Sequence, residues 1–208
     1  WDSKHTTHDI TAFKNYKDGK GDVVREFVDA FRKRNLKVGF YYCLPGHFAR
    51  DVPYARPNPP GKPNLMGLPP EAGKDQIGFI KKQMTELLTN YGPIDVMWLD
   101  YYFVIIGRNQ FGELRKHIKS LQPNCLVLAN SVKDLKYTDV ISYELGPNHV
   151  GIGRVPPNGS NQIGEVCDML SKKWFWVDAE GEDLFAKKYP DAKAVADYLE
   201  YCNLNNAN

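Results

Sequence analysis

The run Pro93-Ile94-Asp95-Val96-Met97-Trp98-Leu99-Asp100 constrains the fold more than any other stretch of this chain. It is almost continuously apolar rather than alternating, the pattern of a strand buried on both faces in a parallel sheet. Parallel strands need crossover connections, usually helices. The run ends on a carboxylate, and burying an ionised carboxylate is costly unless it is paired or hydrogen-bonded. In a (β/α) barrel, the active site lies at the C-terminal ends of the strands, which makes Asp100 a candidate functional residue. A helix N-cap or a salt-bridged loop Asp remains the structural alternative.

The rest of the chain repeats the alternation that such a strand requires. Residues 22–35 are amphipathic, with Val24, Phe27, Val28 and Phe31 on one face, and residues 36–43 read as a strand. Residues 44–73 are rich in Pro and Gly and too long for a simple connection, so a functional loop or lid is expected there. A helix over 74–90 places Ile77, Ile80, Met84, Leu87 and Leu88 in register, and Thr89-Asn90-Tyr91-Gly92-Pro93 is its stop signal. A helix over 111–121 and strands over 125–130 and 139–144 follow. Residues 147–161 form a Gly/Pro/Asn loop, residues 163–171 are expected to be a short helix, and 192–202 a longer one. Strands spaced by helices imply parallel βαβ units, closed as a barrel or open as a doubly wound sheet. No Gly-rich loop follows a strand, so nucleotide-binding versions lack support.

Composition narrows the function. The length of 208 residues fits one domain, 1–208. The net charge of +2 is small and unpatterned, which argues against nucleic acid as a partner. No apolar run reaches the length of a membrane span. Cys43, Cys125, Cys167 and Cys202 form no CxxC pair and read as reduced core thiols. His5 and His8 lack a third ligand nearby, so no metal site is assigned and no cofactor is expected. His117 and His149 carry no argument. Asn158-Gly159-Ser160 is a formal glycosylation sequon.

The predicted strand ends deliver polar and aromatic groups to one face. Tyr41, Tyr42 and His47 follow the first strand, Trp98 and Asp100 close the second, Asn130 the third, and Tyr143-Glu144 the fourth. Aromatic rings at strand ends suit stacking on sugars, although most aromatics in any protein are core. Two carboxylates from different strands suit glycoside hydrolysis, one attacking the anomeric carbon and the other moving the proton. Strand-end carboxylates also serve metals and aldol chemistry.

Several longer motifs resemble the α-L-fucosidases of glycoside hydrolase family 29. Trp1-Asp2-Ser3-Lys4 is similar to the end of a family motif in which two adjacent His precede Gly-Phe and Trp-Asp-Ser-Lys. Residues 22–30 and 36–42 match the next helix and strand. Gln83-Met84-Thr85-Glu86-Leu87-Leu88-Thr89-Asn90-Tyr91-Gly92-Pro93 is very specific to the family, and Trp98-Leu99-Asp100 matches its nucleophile strand. Residues 165–170 with Trp174-Phe175-Trp176 resemble its late Glu-x-Cys and Trp-Gly-Tyr region, and residues 203–208 the approach to its last strand.

The resemblance implies a (β/α)8 barrel and retaining removal of terminal α-L-fucose, by double displacement through a covalent fucosyl-Asp intermediate. Asp100 would be the nucleophile. Glu144 is the preferred acid/base, with Glu165 the alternative or a supporting group; a retaining pair stands ~5–5.5 Å apart. Trp98, Tyr42 and Tyr41 would line the sugar pocket, with Trp1, His47, Tyr143 and Trp174 as further contact candidates. The partner would be a fucosylated oligosaccharide or glycoconjugate, and the location secreted, periplasmic or lysosomal. The family's paired histidines and first two strands would precede Trp1 and its last strand would follow Asn208. The expectation is therefore an incomplete barrel, a catalytic-domain fragment unstable or inactive alone. Asn130-Ser131-Val132 and Tyr101 depart from residues common in the family, which leaves two other readings: a related sugar such as a galactoside, or a non-catalytic sugar-binding or decayed barrel.

Overall fold

The computed structural model describes residues 1–7, 9–43, 70–72, 74–100, 108–130, 132, 134–144, 163–167 and 192–204. They belong to two compact units, residues 1–129 and 130–208. No helix among the described residues is long and apolar enough to cross a membrane.

The first unit contains helix α1 (Val23–Arg32), strand β1 (Gly39–Cys43), helix α2 (Gln76–Asn90), strand β2 (Val96–Asp100), helix α3 (Arg108–Leu121) and strand β3 (Leu126–Ala129). β1, β2 and β3 are parallel, with Tyr41 opposite Trp98, Cys43 opposite Asp100, and Trp98 opposite Leu128. Alternation along each strand then sorts side chains onto two faces. On one face, Met97, Leu99, Val127 and Ala129 are wholly buried. Ile80 and Met84 of α2 and Phe111, Leu114 and Ile118 of α3 are wholly buried too, and α2 packs on α3. Thr85 Oγ1 meets His117 Nε2 at 2.9 Å, and Lys81 pairs with Glu113 at 3.1 Å across the two helices.

The helix ends follow their local chemistry. Asp22 and Asp75 cap α1 and α2, accepting from the backbone amides of Arg25 and Gly78, each at 3.0 Å. The expected stop after α2 is realised by Gly92 at φ +71°, a left-handed conformation that a side chain would strain, with Arg32 filling the space where a Cβ would point. The Gln122 amide reaches Leu88 O at 2.6 Å and Gly92 O at 2.9 Å and accepts from Ile94 N at 2.7 Å, so it closes the end of α2 and leads the chain into β2. Asp95 accepts from Val38 N at 2.8 Å and pairs with Lys37 at 3.1 Å. Those two partners, the backbone amide first, hold its carboxyl below the usual range.

The second unit contains strands β4 (Val140–Glu144) and β5 (Gly164–Cys167) and helix α4 (Ala192–Leu204). β4 and β5 are parallel, with Ser142 opposite Glu165 and Glu144 opposite Cys167. This corrects the expected helix over 163–171. The stretch Gly164-Glu165-Val166-Cys167 is too short to show a helical period, and ladder pairing with β4 satisfies its backbone groups instead.

The parallel α/β organisation therefore agrees with the sequence. The loop over 44–73 lies outside the described residues apart from a short 3-10 turn at Pro70–Ala72, as do the 147–161 loop, its sequon, and Trp174-Phe175-Trp176.

Candidate active site

Asp100 is the last residue of β2, and parallel pairing sets Cys43 of β1 beside it and the Tyr41–Trp98 pair two positions earlier on the same face. The Tyr41 and Trp98 rings stack, with centroids 5.3 Å apart and planes 27° apart. Tyr41 Oη donates to Asp100 Oδ2 at 2.6 Å, the short distance of a charge-assisted bond. Partial desolvation and then this carboxylate hold the Tyr41 phenol above its ordinary range, so it remains a donor. Burial, with Asp100 adding to it, pushes the Cys43 thiol up to about 11 against the lowering effect of its Tyr41 contact. Tyr41 itself is 61% exposed, so the aromatic shelf below Asp100 is open on this side of the unit.

Tyr42 follows Tyr41 and so points to the other face. It is buried, and its hydroxyl donates to Gln83 Oε1 of α2 at 2.5 Å. Burial raises its phenol as well. The two tyrosines offered together as pocket residues are thus separated by the strand between them. Trp1 lies in the same polar network as Tyr42. Its indole Nε1 donates to Glu86 Oε2 at 2.8 Å, as does Ser3 Oγ at 2.8 Å, while Lys4 N donates to Glu86 Oε1 at 2.7 Å. Gln83 Nε2 reaches Ser3 Oγ at 3.4 Å. His5 Nε2 stands 3.7 Å from Glu86, which is only 8% exposed.

This network is the functional-looking cluster that the sequence reading missed. Its signal was present: Ser3 lies in one family-like motif, and Gln83 and Glu86 lie three residues apart, on one face of the helix, in another. Removing a buried acceptor strands the donors it served. Glu86→Ala is expected to destabilise the protein by about 2–4 kcal/mol in denaturant unfolding. A change below ~0.5 kcal/mol would show that the Trp1-Asp2-Ser3-Lys4 segment is not held by Glu86.

In the second unit, Glu144 closes β4 and Glu165 stands at the level of Ser142, two residues short of the strand end. Tyr143 is buried, and burial raises its phenol. His47 and Trp174 lie outside the described residues. Among the described residues no group of three His, Cys, Asp or Glu side chains is arranged to hold a metal ion.

The family model for alpha-L-fucosidase matches residues 1–199. The chain belongs to the alpha-L-fucosidase family. Alpha-L-fucosidase 1 of Arabidopsis thaliana is 24% identical over 86% of this chain and 36% of its own length. The chain spans about a third of the length of the curated relatives it matches. Among solved structures, alpha-L-fucosidase isoenzyme 1 from Paenibacillus thiaminolyticus is 28% identical with a TM-score of 0.65, over 100% of this chain and 49% of that one. Alpha-L-fucosidase AlfC from Lactobacillus casei has a TM-score of 0.60 at 24% identity, over 100% of this chain and 61% of that one, a likeness of fold.

Proposed function

We propose that the protein carrying this chain removes terminal α-L-fucose from glycans with retention of anomeric configuration, with Asp100 as nucleophile and Glu144 as acid/base. One observation carries the reading. The Asp100 carboxylate stands at the C-terminal end of β2, directly beyond a stacked Tyr41–Trp98 pair and within a 2.6 Å hydrogen bond of one of those rings. A sugar has an apolar face and a polar rim, so an aromatic shelf next to a carboxylate can seat the ring while the carboxylate attacks C1.

In the first step a carboxylate oxygen bonds to C1 as the glycosidic bond breaks. The bonding pair leaves with the aglycone oxygen, which takes a proton from the acid. In the second step the same acid/base removes a proton from water, water bonds to C1, and the ester pair returns to Asp100. Glu144 is favoured for the proton work because it ends its strand, whereas Glu165 sits two residues further from the C-terminal edge. No cofactor enters either step. A (β/α)8 barrel, with its first two strands and last strand outside this chain, is part of the same proposal.

The test is the anomer released. Proton NMR of 4-nitrophenyl α-L-fucoside turnover by the whole protein is expected to show α-fucose first. Initial β-fucose would overturn the double displacement, and faster turnover of the matching galactoside would move the substrate to that sugar. Fucose binding without turnover would leave a sugar-binding protein.

A further inference from the structure

We propose that Tyr41 is the positioning residue of Asp100, and that its hydrogen bond acts chiefly when the fucosyl-enzyme breaks down. This rests on the reading of Asp100 as nucleophile and goes beyond it, because the resemblance offers Tyr41 only as a pocket wall.

Three features separate Tyr41 from an ordinary wall residue. Its hydroxyl donates to Asp100 Oδ2 at 2.6 Å. Its ring is fixed from the side by Trp98, the residue opposite it in the strand register. Its neighbour on the same face, Cys43, is opposite Asp100 in that register and touches the Tyr41 hydroxyl. The donor therefore comes from one strand and the carboxylate from the next, and sheet pairing sets the distance between them.

The consequence follows from where charge lies during the reaction. A nucleophilic Asp attacks as the carboxylate, and before attack the Tyr41 bond to it is charge-assisted. In the covalent intermediate the carboxylate has become an ester and the bond is weaker. As water attacks C1 and the C1–O bond to Asp100 breaks, the electron pair and its charge return to the carboxylate. The bond strengthens toward the transition state of this step, which is the condition for a catalytic effect. In the first step charge leaves the carboxylate, so the hydroxyl stabilises the starting state at least as well as the transition state. Deleting it should spare the first step and slow the second.

Tyr41→Phe keeps the ring and its stacking and removes the oxygen. In the whole protein, with an activated aryl α-L-fucoside whose second step limits turnover, kcat is expected to fall about tenfold to a hundredfold, the loss of one charge-assisted hydrogen bond. KM should fall in parallel and leave kcat/KM within about threefold. Intact-protein mass spectrometry during turnover should show a fucosyl-enzyme in the variant at a higher level than in the wild type. Unchanged kcat and KM would overturn the proposal. Lost kcat/KM with an unchanged KM and no accumulated adduct would also overturn it and leave Tyr41 a structural residue. Absence of any covalent adduct in the wild type under a slow 2-fluoro fucosyl donor would remove the nucleophile reading and this one with it. An adduct on wild-type Asp100 with unchanged variant kinetics would remove this one alone.

Discussion

Asp100→Asn is expected to lower turnover of an aryl α-L-fucoside by three orders of magnitude or more while leaving the fold intact. The size follows from the role. An amide is a poor nucleophile and a poor leaving group, so both covalent steps lose their reacting atom, a barrier increase of about 4 kcal/mol or more. The intact fold follows from the surroundings. Asn has the shape of Asp, and its carbonyl oxygen can still accept from the Tyr41 hydroxyl that holds Asp100 Oδ2 at 2.6 Å. Kinetics and far-UV circular dichroism on the same preparation separate the two effects. Turnover within about tenfold of wild type would mean that Asp100 does not attack substrate. Lost activity together with lost ellipticity would mean that the strand end itself had failed.

The second large effect distinguishes Glu144 from Glu165. An acid/base is needed in proportion to the basicity of the leaving group. Glu144→Ala is expected to slow natural glycans and poor aryl leaving groups by about 10²–10⁴-fold, the usual contribution of a general acid, and a dinitrophenyl fucoside far less in the first step. Azide should then restore the second step by attacking C1 without a base. Glu165→Ala should affect good and poor leaving groups alike, as a supporting residue would. The preference rests on the β4–β5 register, in which Glu144 pairs with Cys167 and Glu165 with Ser142. Azide rescue of Glu165→Ala but not of Glu144→Ala would reverse the assignment.

Much of this was legible in the sequence because the governing signals are local. The apolar run into Asp100 becomes β2 (Val96–Asp100), and the helix expected over 74–90 becomes α2 (Gln76–Asn90). Gly92 ends that helix at the position where its stop signal stands. Residues 163–171 carry no readable period: β5 (Gly164–Cys167) is a strand because β4 offers it a partner, and pairing between distant segments leaves little trace in four residues. The placement of the paired tyrosines follows from the period of a strand. Once 36–43 is a strand, Tyr41 and Tyr42 must face opposite sides, and only Tyr41 shares a face with Trp98 and Asp100. The Glu86 network was hidden for a different reason. It joins residues more than eighty positions apart, and a helix carboxylate beside Gln83 looks like a solvated charge until its donors are located. The motifs quoted for their family likeness thus include residues whose work is to hold the chain together, Ser3, Gln83 and Glu86, as well as residues offered to substrate.

The same distinction bears on Trp1. Its indole N–H is committed to Glu86, a contact that anchors the segment ahead of α1 onto α2. On the strand face that carries Asp100 stand the stacked rings of Trp98 and Tyr41, and the Tyr41 hydroxyl donates to the carboxylate.

As nucleophile, Asp100 would become covalently attached to fucose during turnover. Incubating the whole protein with a 2-deoxy-2-fluoro-fucosyl donor slows both steps, and the activated leaving group lets the first outrun the second, so the intermediate accumulates. Peptide mapping by mass spectrometry then locates it. A fluorofucosyl-sized mass is expected on the peptide containing Trp98-Leu99-Asp100, with fragmentation assigning it to Asp100. A label on another carboxylate, or turnover-competent protein that never acquires one, would contradict it.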